Sequence, residues 1–366
     1  MYQSKLFGKR WGGICAGLVL MALVFRVLSS PTALAAVRRS TGRAVRSAEF
    51  ADLIFSVELG QRVRLARAEA TPSDHTDAAR ASDETTPTET SRTDEPDGSD
   101  ETQPAASAAN RTDETLQFSA AEADKISIRS RIEEAVDKTA LLLQPLSLPI
   151  SGTGPKVLIV HTHSCEAYTA TEGNEYTPSG SYRTLDKSCS VIRVGEELRA
   201  VLEQNGIETI HDTEYNDYPH YTGGYDRMEE TISSYLAQYP SICMVIDLHR
   251  DAVADANGNL VGERVTLNGE DYAPLMFVVG TDEGGLYHPN WRGNLSLALK
   301  LQALLNRDYD GLCRSLSLRK ERFNENQTPG SLLIEIGSTE NTLEQALRTA
   351  RVFGQTLASF LLADGE

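Results

Sequence analysis

The stretch KVLIVHTHSCEAY, Lys156 to Tyr168, decides how this chain is read. Val157 to Val160 are large aliphatic residues with no polar position between them. A strand with one face in water alternates apolar and polar side chains. A strand without alternation is covered on both faces, as in a parallel sheet flanked by helices. The run then stops on two histidines, a cysteine and a glutamate. In an extended chain, His161 and His163 point to the same side. Three readings stay open from the stretch alone: a metal site using His161, His163 and Glu166, a nucleophile built on Cys165, or the polar lip of a strand.

Working outward, the pattern repeats. The helix VIRVGEELRAVLEQNG closes on Gly206, where a left-handed C-terminal residue is expected. A short strand IETI, a helix over Gly224–Tyr239 and an apolar strand over Ile242–His249 follow. Next comes a polar excursion that reads as a hairpin, with turns at Asn257–Gly258 and Asn268–Gly269. The strand LMFVVG, the helix NLSLALKLQALLNRDY, the strands LSLRK and SLLIEIG, and the terminal helix TLEQALRTARVFGQTLASFLL complete the series. Apolar strands separated by amphipathic helices predict an α/β domain over 155–366, its mostly parallel sheet carrying helices on both faces. In such sheets ligands bind beyond the carboxyl ends of the strands.

The rest of the chain is differently composed. Lys5, Lys9 and Arg10 precede the uncharged run Trp11–Phe25, a positive flank and apolar core that predict export with the N-terminus inside. Fifteen residues span about 22 Å as a helix, short for a bilayer unless Arg26 snorkels and Val27 and Leu28 extend the run. Residues 1–30 therefore read as a single-pass membrane anchor or a signal segment, with ALA at Ala33–Ala35 as a candidate cleavage site. On either reading the folded domain is extracytoplasmic, at the cell membrane for the anchor. Residues 31–69 read as a juxtamembrane helical region. Residues 70–115, rich in Thr, Ser, Asp, Glu and Pro, cannot bury enough apolar surface to order themselves, and read as a disordered acidic linker. Residues 116–154 read as a helical lead-in, with a helix over Asp124–Leu143. With 35 Lys and Arg against 52 Asp and Glu, the net charge of −17 argues against nucleic-acid binding, which needs a basic footprint.

Three predicted strand ends carry chemistry. One gives His161, His163 and Glu166. The second gives DLHRD, with Asp247, His249, Arg250 and Asp251. The third embeds Glu335 in the apolar strand LLIEIG. A glutamate is rarely buried unless paired or ligated. It reads either as a strand-end ion pair, with Arg250 for instance, or as a general base. Catalytic zinc takes three N or O protein ligands and leaves a position for water, whose proton a carboxylate must manage. Histidines on two strand ends and a carboxylate on a third fit that chemistry. None of Cys15, Cys165, Cys189, Cys243 and Cys313 forms a C-x-x-C pair.

The segments KVLIVHTHSCEAY, DYPHYTGGYDRMEETISSYLAQYPSI, VIDLHRDA, HPNWRGNL and LLIEIGSTENTLEQAL resemble, in this order, the stage II sporulation protein P family of endospore-forming bacteria. The resemblance implies a zinc-dependent N-acetylmuramoyl-L-alanine amidase that hydrolyses peptidoglycan during engulfment and is also able to cut stem-peptide crosslinks. It implies as partners the stage II sporulation proteins D and M, in the space between the membranes of the sporulating cell. Carried over by position, it implies His163 and His249 as zinc ligands and Glu335 as the catalytic carboxylate; beside them Arg250 reads either as steadying an oxyanion or a substrate carboxylate, or as the partner of Asp251 or Asp226 in an ion pair. For the middle ligand it implies Asp186, four residues before Ser190, with Glu166 as the alternate and His161 as a neighbour of the site or an alternate ligand. Tyr168, Tyr182, Tyr221 and Tyr225 crowd the loops after the strand ends and read as walls of a sugar–peptide groove. Cys165 and Cys189 are expected to be dispensable, or to pair across the mouth of the site.

Overall fold

The computed structural model describes residues 116–146, 148–253 and 260–364. The expected anchor, juxtamembrane region and acidic linker, and the Asn257–Gly258 turn, lie outside the described residues. Among the described residues no helix is long and apolar enough to cross a membrane.

Helices α1 (Ala120–Lys125), α2 (Lys138–Leu143), α3 (Val191–Gln204), α4 (Gly224–Gln238), α5 (Trp291–Asp308) and α6 (Leu343–Asp364) surround one main sheet. Its strands are β1 (Ile128–Ser130), β2 (Val157–Val160), β5 (Thr209–His211), β6 (Met244–Asp251), β9 (Leu275–Val279), β10 (Leu316–Leu318) and β11 (Leu332–Ser338). Two small hairpins, β3 (Pro178–Gly180) with β4 (Arg183–Thr184) and β7 (Val265–Leu267) with β8 (Glu270–Tyr272), stand outside it. The order across the sheet is β1-β10-β9-β11-β6-β2-β5. Every neighbouring pair is parallel except β9 with β11. The exception has a simple cause. β9 begins at the end of the sheet where β6 stops, after the β7–β8 hairpin, and no crossover helix returns the chain to the other end.

Strand β2 behaves as its composition predicts. Leu158 and Val160 join Met228 and Ile232 of α4 in a cluster on one face, whereas Val157 and Ile159 join Val194 and Leu198 of α3 on the other. Helix α3 starts at Ser190, whose hydroxyl accepts from the Ile192 amide. It ends at Gly206 (φ +79°), where the Gly206 amide bonds Glu203 O and the Ile207 amide bonds Leu202 O. That pair of bonds is the Schellman closure expected of a glycine here.

The lead-in departs from expectation. No single helix runs over Asp124–Leu143; Ile128–Ser130 is instead an edge strand parallel to β10. Ile126, Leu142 and Leu148 are buried in the main core, so this segment is part of the sheet domain. Lys300 of α5 bonds Leu142 O at 2.5 Å and Lys138 bonds Ile126 O at 2.8 Å, fixing the two short helices.

Helix α6 lies on α3 at a glycine. A Cβ built on Gly354 would stand 2.9 Å from Val201 Cγ1. Helix propensity favours Ala over Gly by about 1 kcal/mol, but overpacking costs about 1–3 kcal/mol. Gly354→Ala is therefore expected to destabilise the chain by about 1 kcal/mol, read as a lower urea midpoint at unchanged m-value. A raised midpoint would show that the helices separate without loss.

Candidate active site

At the carboxyl ends of β2, β6 and β11 the structure gathers His163, Glu166, His249 and Glu335, all of them buried. The sheet itself places two of the four. Glu335 of β11 is the register partner of His249 in the parallel β11–β6 pair, so their side chains leave the same face. The inner half of that face carries Val245 and the buried Leu333; its outer end carries Asp247, His249 and Glu335.

His249 is held between two carboxylates. Its Nε2 lies 2.9 Å from Asp247 Oδ1, and its Nδ1 lies 3.6 Å from Glu166 Oε2. Burial opposes a charge on the ring, but Asp247 and then Glu166 outweigh it and hold the imidazole pKa well above its usual value. The 2.9 Å approach to Asp247 is not linear enough for a hydrogen bond, and we treat it as an ion-pair contact. Asp247 also accepts from the Thr162 amide at 2.8 Å and the Thr162 hydroxyl at 2.6 Å, which anchors the end of β2 to β6. Burial likewise opposes ionisation of Glu166, yet the facing His249 and then the charge of Arg250 bring it down to about 2.

Glu335 lacks such partners. Burial first, and then the nearby Asp251, push its carboxyl up to about 8, and its Oε2 is buried with no hydrogen-bond partner. The ion pair with Arg250 considered above does not form. The Arg250 guanidinium instead bonds the carbonyls of Ala167 (2.9 Å) and Tyr182 (2.7 Å), and its amide bonds Glu166 Oε2 at 3.0 Å. Arg250 was expected at an oxyanion or a substrate carboxylate; its bonds make it a buried strut that fixes the loop carrying Glu166.

His161 and His163 part company. After Val160 the chain turns, so the two-residue alternation that would align them is lost. His161 goes under α3, donating from Nδ1 to Leu248 O (2.8 Å) and meeting His211 Nε2 with its Nε2 (2.9 Å). Burial brings it down to about 3, so it is a neutral ring. A Cβ on Gly195 of α3 would stand 2.6 Å from His161 Nε2, which shows how closely the helix covers it. His161 is thus no ligand candidate.

His163 turns towards the site. Its ring stacks on Tyr221 (centroids 4.6 Å apart, planes within 7°) and meets His249 edge-on at 5.2 Å. The Tyr221 hydroxyl is 3.1 Å from His163 Nε2, and Asp217 Oδ2 is 3.7 Å from Nδ1. Asp217, wholly buried, is paired with Arg183 and accepts from the Ser164 hydroxyl and the Cys165 amide. Arg183 in turn covers the Tyr221 ring. Asp217 and Tyr221, both in the segment between β5 and α4, were not singled out as partners of His163. The only signal was their position after a strand end.

Asp186, implied as the middle ligand, stands apart from this group. Its carboxylate caps the turn Lys187–Cys189, accepting from the Ser188 amide (2.9 Å) and hydroxyl (2.6 Å). The nearby carboxylate is Glu166. Of the four tyrosines, Tyr168 is buried and bonds Ile336 O, so it is a core residue. Tyr182 bonds Glu340, and Tyr225 meets His163 edge-on. Cys165 and Cys189 are both free and buried. Burial and then Asp217 push the Cys165 thiol up to about 12, so no thiolate is present to attack a substrate.

Among the described residues no three His, Cys, Asp or Glu side chains already form a metal cage. The donor set nevertheless fits one. Two ligands of a tetrahedral zinc at about 2.1 Å lie about 3.4 Å apart, close to the 3.6 Å between His249 Nδ1 and Glu166 Oε2. His163 would complete the trio once its ring leaves the Tyr221 hydroxyl. The unpartnered Glu335 Oε2 is the atom left over for water.

A family model described as stage II sporulation protein P (SpoIIP) matches residues 54–358. Stage II sporulation protein P of Bacillus subtilis (strain 168) is 27% identical over 215 residues, which is 55% of this chain and 50% of that protein. The chain thus spans about half the length of that curated relative. Among solved structures, the N-acetylmuramoyl-L-alanine amidase AmiC2 of Nostoc punctiforme is 16% identical, with a TM-score of 0.33, covering 58% of this chain and 97% of its own. The CwlD amidase of Clostridioides difficile, solved in complex with the GerS lipoprotein, is 15% identical, with a TM-score of 0.34 and coverages of 57% and 95%.

The raised Glu335 carboxyl makes a testable statement about the metal-free chain. An unfolded glutamate titrates near its ordinary value of 4.5, the folded one at about 8. The stabilising contribution is therefore full below pH 4.5 and is lost as pH rises towards 8. Glu335→Gln should match the wild type in thermal unfolding at pH 4 and exceed it increasingly up to pH 8, by a few kcal/mol on the order of 1.4 per pKa unit. A difference that does not vary with pH would show that Glu335 is not desolvated.

Proposed function

The chain belongs to the stage II sporulation protein P family, and we propose that it is a metal-dependent peptidoglycan hydrolase of sporulation. The bond we assign to it is the amide joining the lactyl group of MurNAc to L-alanine. The observation that carries the reading is a buried Glu335 with an unpartnered oxygen, set beside His249 by sheet register. His163, Glu166 and His249 are the proposed metal ligands, zinc the proposed metal, and Glu166 replaces Asp186 because Asp186 caps its own turn. Bound there, zinc would supply a Lewis acid for the amide carbonyl and make the attacking water more acidic.

The chain's own groups do the rest. Asp247 at His249 Nε2 leaves Nδ1 facing Glu166, the carboxylate–histidine arrangement that fixes a ligand's orientation. The Arg250 amide and guanidinium hold Glu166 and its loop in reach. Glu335 takes a proton from water as the water oxygen bonds the carbonyl carbon, then returns it to the amine nitrogen as the C–N bond breaks. Without a metal burial holds this carboxyl up to about 8, so the first half of the transfer needs the carboxylate form, which a cation bound beside it would favour. Extracytoplasmic location, membrane attachment through residues 1–30, cutting of peptide crosslinks and partnership with stage II sporulation proteins D and M belong to the same proposal and rest on family membership.

Release of stem peptides from purified sacculi by the zinc-loaded full-length chain tests the reading. We expect a chelator to abolish release and added zinc to restore it. Glu335→Gln should keep zinc while losing about 10²–10⁴ in rate, and His249→Ala should lose both zinc and activity. Chelator-insensitive release, or a Glu335→Gln enzyme of near-normal rate, would overturn it. Tyr221→Phe removes the hydroxyl that occupies His163 Nε2. Zinc affinity measured by chelator competition should then tighten by about threefold to tenfold, the worth of about one hydrogen bond. Weaker binding would assign Tyr221 a supporting role instead.

A further inference from the structure

At the other end of the sheet from His163 and Glu335, a cavity of about 560 Å³ opens between the start of β2, the start of β6 and the approach to β11. It lies at the amino ends of the parallel strands, away from the site described above. Its lining includes Lys156, Ser151, Thr153, Ser241 and Thr328, with Pro149, Leu236, Ile242 and Pro329 among the apolar surfaces. No aspartate or glutamate lines it, in a chain that carries 52 of them against 35 cationic residues.

Lys156 is the unusual member. It is only 8% exposed, and its ammonium bonds Ser151 O at 2.7 Å. No carboxylate of the described residues pairs with it. A lysine this little exposed usually has a carboxylate beside it, and here the cavity is the place where an anion could stand. The segment before it, Ser151-Gly152-Thr153-Gly154, touches the ammonium through Ser151 O and Gly152. Gly152 (φ +85°) brings its backbone so close that an added Cβ would stand 3.9 Å from Lys156 Nζ, and Gly154 is also left-handed (φ +91°). The amides of these four residues donate to no acceptor among the described residues. Free backbone amides beside a lysine ammonium make an anion-binding concavity.

We propose that this basal cavity binds an oxyanion, carboxylate or phosphate, carried on a body with an apolar side. The Lys156 ammonium and the Ser151–Gly154 amides take the charged head, and Leu236, Ile242 and the prolines take the body. The cavity is large enough for a ligand well beyond a bare phosphate. This site is independent of the hydrolytic reading, because it uses none of the same residues and needs no turnover.

The test titrates the full-length chain with inorganic phosphate or with N-acetylleucine, following the thermal unfolding midpoint against sodium chloride of equal ionic strength. The two probes separate a phosphate head from a carboxylate one. A ligand that binds only the folded chain raises the midpoint with concentration. We expect at least one probe to do so, Lys156→Arg to bind within about threefold of wild type, and Lys156→Gln to bind about tenfold more weakly, the loss of one charged hydrogen bond. If Lys156→Gln does not fold, exposed Thr153→Val serves, with an expected loss of about threefold. Equal binding by wild type and the neutral variant, or no midpoint shift with either probe, would overturn the proposal.

Discussion

His249 sits between two buried carboxylates, and the carboxyl end of the sheet is organised around that contact. Asp247 on one side ties the ring to the end of β2 through Thr162. Glu166 on the other ties it to the loop after β2. Buried charges are tolerated only when each has its partner, so removing any one strands the others at a cost of several kcal/mol. The loop cannot drift without exposing that penalty. Arg250 doubles the constraint, since the residue next to His249 in sequence bonds the loop's backbone at Ala167 and Tyr182.

The same constraint separates roles among neighbours of one residue type. Two histidines two positions apart fall in different environments because the chain leaves the extended state after Val160. His161 becomes a neutral ring between Leu248 O and His211 under α3, whereas His163 faces Tyr221 and His249. The two glutamates are also driven apart. Glu166, facing His249 and accepting from the Arg250 amide, is held ionised. Glu335, one strand away, meets mainly burial and another carboxylate, and in the metal-free chain its carboxyl is pushed up to about 8. Carboxyl groups with pKa values pushed in opposite directions are what acid–base chemistry at neutral pH needs.

Much of this was legible from residue pattern. Continuous apolar runs flanked by amphipathic helices gave the mostly parallel sheet, and unusual polar residues at strand ends gave His161, His163, Glu166, His249 and Glu335 as candidates, without choosing between the two histidines of the first end. The edge strand Ile128–Ser130 was not legible, because three residues beside charged neighbours have no period of their own. The choice between Asp186 and Glu166 was beyond pattern too. It turns on a tight bend that brings Glu166 under β6 and on Asp186 capping its own turn. Asp217 and Tyr221 escaped notice because loop residues are placed by tertiary contacts, not by spacing. Arg250 was read by its company in the sequence, whereas strand alternation turns it away from His249 and towards the loop.

The edge position of Ile128–Ser130 bears on where the folded unit begins. Ile126, Leu142 and Leu148 fill the same core as α5, and the short β1 strand covers the free side of β10. A polypeptide started at residue 155 would leave β10 as an open edge beside an uncovered apolar helix face. Open edges recruit other chains, so such a fragment would self-associate, and its failure to behave would reflect a missing border and not a weak core.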